Sequence, residues 1–126
     1  MTDLPPPGSP ARRFADDMTA AGAPVRAEPG RLMFDILAVG GALAGQWVAT
    51  GVSLAEVQTW PQVPPHWVHL PETVVFETTN TDTTDCPPGW RRHSREFTHT
   101  DTSISPAKAW LSHVRGLLSL AIAPAA

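Results

Sequence analysis

The chain has 126 residues, a formal net charge of −3 and one cysteine, Cys86. That length holds one compact domain with a single sizeable core, and 42% hydrophobic residues argue against intrinsic disorder. The apolar runs are too short for a membrane span, the acidic balance gives no electrostatic case for nucleic acid, and a lone thiol excludes an internal disulfide or a cysteine-based zinc site. The start, with Asp3 and three prolines, is not the basic-then-apolar order of a secretory signal, so the expected location is the cytoplasm.

Fourteen prolines and nine glycines interrupt the chain often, which confines helices to its ends. Eight of the nine basic residues are arginine, leaving Lys108 as the one lysine. Trp47, Trp60, Trp67, Trp90 and Trp110 are expected to build the core, with Trp90, next to Gly89, also suited to a site wall.

Residues 1–8 read as a flexible proline-rich arm and residues 9–123 as the domain. Ser9-Pro10 is a cap followed by proline at the first helical position, and Ala11 to Ala21 places Phe14, Ala15 and Met18 on one helical face. Gly22 and Pro24 end that helix. Arg31 to Val39 and Gln46 to Val52 read as a hairpin around Gly40-Gly41. Trp60-Pro61 and Pro64-Pro65 force an irregular passage, after which Trp67 to Leu70 and Val74 to Phe76 are short strand candidates. The polar stretch Thr78 to Asp85 and the following Cys86-Pro87-Pro88-Gly89 read as a long functional loop. Ser105-Pro106 repeats the cap-then-proline start, and a helix is expected from Pro106 to about Ala121, with Ala107, Trp110, Leu111, Val114, Leu117, Leu118 and Ala121 as its buried stripe. The fold class is α+β with an antiparallel sheet.

Three local motifs, in this order, resemble the ubiquitin-conjugating (UBC-like) family: Trp60-Pro61-Gln62-Val63-Pro64-Pro65, Gly89-Trp90-Arg91-Arg92-His93-Ser94-Arg95, and Ser105-Pro106-Ala107 with Trp110 to Val114. The middle one is similar to the Trp-Ser-Arg region of a bacterial branch called prokaryotic family E. The resemblance spans about residues 9 to 123 and implies an N-terminal helix, an antiparallel four-stranded meander, a catalytic loop and a C-terminal helix. It also implies a carrier enzyme that accepts a ubiquitin-like protein from an adenylating enzyme and transfers it to an amine on a protein target. The adenylating partner would use the ATP, so no cofactor is expected here. A defence role would follow only from association with that branch. The family's His-Pro-Asn triplet is absent; Asn80 is the one asparagine and so the candidate for its role.

Two nucleophiles compete. Ser94 is narrowly preferred: it lies twelve residues before Pro106, close to where the resembled family places its catalytic residue before the matching proline, and would form an oxyester that requires a general base. Cys86 has the better intrinsic reactivity and would form a thioester. His93 is the neighbouring base candidate if the chain turns, with His99 or His113 as alternatives. Arg92 or Arg95 are placed to hold an oxyanion or an incoming tail. Arg12, Arg13 and Phe14 on the first helix, with Trp90 and Arg92, are the expected partner-binding residues. Without the resemblance, the chain reads as a small interaction or metal-binding module. With it but without the chemistry, the chain reads as a non-covalent scaffold. His66 and His69 have no zinc-site spacing with Cys86, so no metal is expected.

Overall fold

The computed structural model describes residues 2–77, 79–95, 97 and 103–122. Helix α1 spans Pro10–Ala20; Ser9 caps it, its Oγ accepting from the Arg12 N–H at 3.1 Å, with proline in the first turn, where a missing N–H costs nothing. Six strands follow: β1 (Arg26–Glu28), β2 (Arg31–Leu37), β3 (Trp47–Ser53), β4 (Trp67–Pro71), β5 (Asn80–Asp82) and β6 (Trp90–Ser94). Helix α2, Pro106–Leu118, starts from a Ser105 cap of the same design. The strands form one antiparallel sheet in the order β1-β2-β3-β4-β6-β5.

Strand alternation separates the sheet into two faces. Leu32, Phe34 and Ile36 of β2, Val48 and Val52 of β3, and Val68 and Leu70 of β4 point inward and join the buried faces of both helices. Phe14 sits at the centre, edge-on to Trp60 (5.0 Å between centroids), Trp110 (5.7 Å) and Phe34 (6.3 Å). The two buried indoles keep their N–H groups satisfied, Trp60 by Asp17 at 3.0 Å and Trp110 by the Pro65 carbonyl at 3.1 Å. The Trp60–Pro61 peptide bond is cis.

The α+β class and both helices match the sequence reading, but the sheet has six strands where four were expected. The strands beyond those expected are β1, set against β2 by the Pro29-Gly30 turn, β5 and β6. The second lies inside the polar stretch assigned to a loop, because β6 supplies it with a ladder partner. Val74 to Phe76 is not a strand: the Val74 N–H closes a turn onto the Pro71 carbonyl, and Val74 is a core residue by burial alone. The proline-rich arm makes contacts of its own, Thr2 bridging Ala27 on β1 and the Pro5 carbonyl accepting from Arg12. Among the described residues no helix is long and apolar enough to cross a membrane.

Candidate functional site

The sheet face turned away from the helices carries the candidate site residues Asn80, Trp90, Arg92 and Ser94. Register places Arg31 and Met33 of β2, Gly51 and Ser53 of β3, Trp67 and His69 of β4, Trp90, Arg92 and Ser94 of β6, and Asn80 and Asp82 of β5 on this outer face. The absence of a side chain at Gly51 makes a trough that Met33 fills; a Cβ at Gly51 would stand 2.6 Å from the Met33 sulfur. Arg31 reaches across that trough until its guanidinium lies 4.2 Å from the Trp90 ring centroid, with Nη1 3.5 Å from His69 Nδ1 and Nη2 2.8 Å from Glu28. Arg92 stacks on Trp67 at 4.0 Å and holds Asp82 through two N–H bonds of 2.6 and 3.2 Å. Arg92 keeps the Asp82 carboxyl below the usual carboxylate range, and Asp82 raises Arg92 in return.

Cys86 belongs to the segment that joins β5 to β6. Its N–H closes a turn on the Thr83 carbonyl, Asp85 takes a left-handed φ of 59°, and the Trp90 N–H returns to the Pro87 carbonyl. The thiol is half-buried and its pKa is raised, burial being the larger cause, while Arg31 and Arg92 pull the other way. His69 is almost fully covered and lies lower on the same face; burial first, then Arg31, brings its pKa from 6.5 to about 4. It is therefore neutral at pH 7, and because arginine only donates, Nδ1 can only accept from Arg31.

At the other end of the hairpin, Ser94 stands directly opposite Asn80 on one side and Trp67 on the other. It is 5% exposed. His93 is its neighbour in sequence but faces inward, opposite Val68, where its ring meets Phe76 at 4.9 Å and its Nδ1 meets the Thr79 hydroxyl at 3.0 Å. Burial and Arg91 lower its pKa to about 4, and its buried Nε2 has no hydrogen-bond partner among the described residues. The strand thus overturns His93 as the base for Ser94: the two side chains project to opposite faces, and the turn that would bring them together does not form.

Arg95 points elsewhere again. One of its guanidinium nitrogens lies 3.5 Å from where a Cβ of Gly116 would stand, so it rests on α2, where burial first and then Arg95 lower the pKa of His113. His113 packs on Phe97; His99 lies outside the described residues. On α1, Arg13 is exposed beside Asp17 and Arg12 is half-buried beside Asp16, so both have a surface to offer. Phe14 does not: it is fully buried, and its place is the aromatic core. The tryptophans need a similar correction, since only Trp60 and Trp110 are core, Trp47 is 69% exposed, and Trp67 and Trp90 cover arginines.

The structure therefore gathers Cys86, Arg92 and Trp90 at one end of the β5–β6 hairpin and Ser94 with Asn80 at the other. It adds Arg31, Trp67, His69 and Asp82, which sequence reasoning did not single out as a site. The available signal was the alternation of β2 and β4, which puts Arg31 and His69 on the face opposite the apolar set. Among the described residues no three His, Cys, Asp or Glu side chains converge as a metal site. No protein-family model, curated protein or solved structure matches this chain.

Proposed function

We propose that this chain is a UBC-like carrier of the bacterial branch its motifs resemble. It accepts a ubiquitin-like protein from an adenylating enzyme as a thioester on Cys86 and passes it to an amine of a protein target. The observation that carries this reading is the position of Cys86, half-buried on a hydrogen-bonded turn, where the charges of Arg31 and Arg92 favour its thiolate and those of Asp82 and Asp85 oppose it. Ser94, by contrast, is held in a strand with ladder partners on both sides. Arg31 and Arg92 supply positive charge where an oxyanion develops during acyl transfer. The raised thiol pKa also suits a carrier, because a more basic thiol is a poorer leaving group and its ester survives water longer. The ATP is spent by the adenylating partner, and the carrier itself needs no cofactor.

A second reading keeps the function and moves the ester to Ser94, because Asn80, the one residue able to stand in for the family's asparagine, lies directly opposite it. A charging assay separates the two, using an activating enzyme and a ubiquitin-like protein of that bacterial branch, ATP, wild type, Cys86→Ala and Ser94→Ala. The expected result is an adduct cleaved by thiol reductant and absent in Cys86→Ala. An adduct that resists reductant, yields to mild base and is lost only in Ser94→Ala moves the chemistry to serine. No adduct in wild type with an active activating enzyme refutes the carrier and leaves the non-covalent scaffold.

A further inference from the structure

Trp47 opens β3 with an indole that is 69% exposed, the one aromatic ring left largely uncovered among the described residues. Its surroundings are not simply apolar. Register sets Trp47 opposite Leu37 and Asp35 opposite Ala49, so Asp35 is the diagonal neighbour of Trp47 on the outer face. Arg26 joins them from β1, opposite Met33 on the same face. Its guanidinium holds Asp35 by a two-pronged pair, Nη1 to Oδ2 at 3.1 Å and Nη2 to Oδ1 at 3.2 Å, with both side chains half exposed. With Pro24 and Val25, these three side chains line a pocket of about 470 Å³, within the size range of small-molecule sites. The pocket belongs to β1, β2 and β3, towards the opposite edge of the sheet from the β5–β6 hairpin that carries Cys86.

The lining selects the chemistry of a ligand. The Arg26–Asp35 pair is balanced in charge, so it gives no net attraction to an anion or a cation. The fork spends one N–H of each terminal nitrogen and one lone pair of each carboxylate oxygen; the remaining donors and acceptors stand side by side at its rim. Two adjacent hydroxyls suit that rim, because each can accept from a guanidinium N–H and donate to a carboxylate oxygen. The negative face of the indole attracts the C–H bonds of a saturated ring. We propose that this pocket binds a pyranose sugar, its C–H face stacked on Trp47 and a vicinal pair of hydroxyls held by Arg26 and Asp35. A free sugar and the end of a glycan share this chemistry. The site uses no residue of the carrier reading and stands whether or not Cys86 is acylated.

The test titrates the full chain with glucose, galactose and mannose, with their methyl glycosides and with the 3-deoxy analogue of methyl glucoside, which has no vicinal diol. Two-dimensional NMR follows the indole N–H signals and the backbone N–H signals of β2 and β3; Trp47→Phe assigns the Trp47 indole. The expected result is a saturable shift of Trp47 with a Kd on the order of 1–10 mM, as suits a ligand of a dozen heavy atoms in an open pocket. Binding should weaken at least about ten-fold for the 3-deoxy analogue, in Trp47→Ala and in Asp35→Asn, because each leaves part of the recognition unmade. Trp47→Phe keeps a ring and should bind within a few-fold of wild type. Asp35→Asn leaves Arg26 unbalanced and should gain affinity for acetate. Trp47 and Asp35 are exposed, so urea midpoints near wild type are expected to show that the variants fold. Equal binding of a sugar and its methyl glycoside supports the site for a glycan end, and tighter binding of the free sugar supports it for a free saccharide. No saturable shift of Trp47 with any sugar up to roughly 100 mM, or shifts that survive in Trp47→Ala, overturns the proposal. So does a purine nucleoside or tetramethylammonium that moves Trp47 at lower concentration than every sugar.

Discussion

Replacement of Phe14 by alanine separates a core role from a partner-binding one. The ring is fully buried and makes edge-to-face contacts with Phe34, Trp60 and Trp110 at centroid distances of 6.3, 5.0 and 5.7 Å. Truncating a buried phenylalanine costs about 3–5 kcal/mol, and the three ring contacts put this site at the upper end. Against a total stability of roughly 5–15 kcal/mol, that is a large share. It corresponds to a fall in Tm of roughly 10–25 °C for a domain of this size. Urea unfolding followed by circular dichroism reads the change. Phe14→Leu, which keeps most of the volume, should lose only about 1–2 kcal/mol and, under the proposed carrier function, leave binding of an activating enzyme unchanged. A loss below about 1 kcal/mol in Phe14→Ala, together with lost partner binding in Phe14→Leu, would return Phe14 to the surface and refute the packing argument.

Gly41 has a φ of +73°, and a Cβ there would collide with the Ser119 carbonyl oxygen at the end of α2. Gly41→Ala should therefore cost roughly 2–4 kcal/mol, whereas Gly45→Ala, at φ +85° with open space around it, should cost about 1 kcal/mol; equal losses in urea titrations would contradict this. His69 and His93 stay neutral in the folded chain to about pH 4, while the unfolded chain takes up those protons near 6.5. Their contribution to stability is complete above pH 6.5 and is lost as pH falls towards 4, so the urea midpoint should drop between pH 7 and 5 and drop less in His93→Gln. A flat midpoint across that range argues against buried neutral rings. Arg92→Gln removes a cation that lowers the Cys86 pKa, so the pH profile of iodoacetamide alkylation should move upward; an unmoved profile takes Arg92 out of the thiol's surroundings.

Both helices were legible because their starts are written locally. Ser9-Pro10 and Ser105-Pro106 combine a cap with a proline that needs no N–H donor, and the apolar spacing that follows fixes the buried face. Strand β5 was not legible, since Asn80 and Asp82 on either side of Thr81 have low strand preference and pair only because β6 runs beside them. The same non-local cause explains the tryptophans: composition suggests burial for all five, but register puts Trp67 and Trp90 on the outer face, where arginines from other strands or other positions cover them. At the site, the competition between Cys86 and Ser94 was visible in the sequence. What separates them, a turn against a doubly paired strand, depends on β5 existing.

The outer face shows why chemistry and stability are tied together in this chain. Arg31 and His69 are 5% and 1% exposed although they point away from both helices. A guanidinium that is nearly dry needs compensation, and Arg31 finds it in the Glu28 carboxylate, the His69 nitrogen and the face of Trp90. Trp90 opens β6 immediately after the Cys86 turn, so the segment that places the thiol also places the ring that covers Arg31. Moving that turn would uncover a buried charge, and the cost of doing so falls only where something else supplies acceptors to Arg31, such as the carbonyl oxygens of an extended chain.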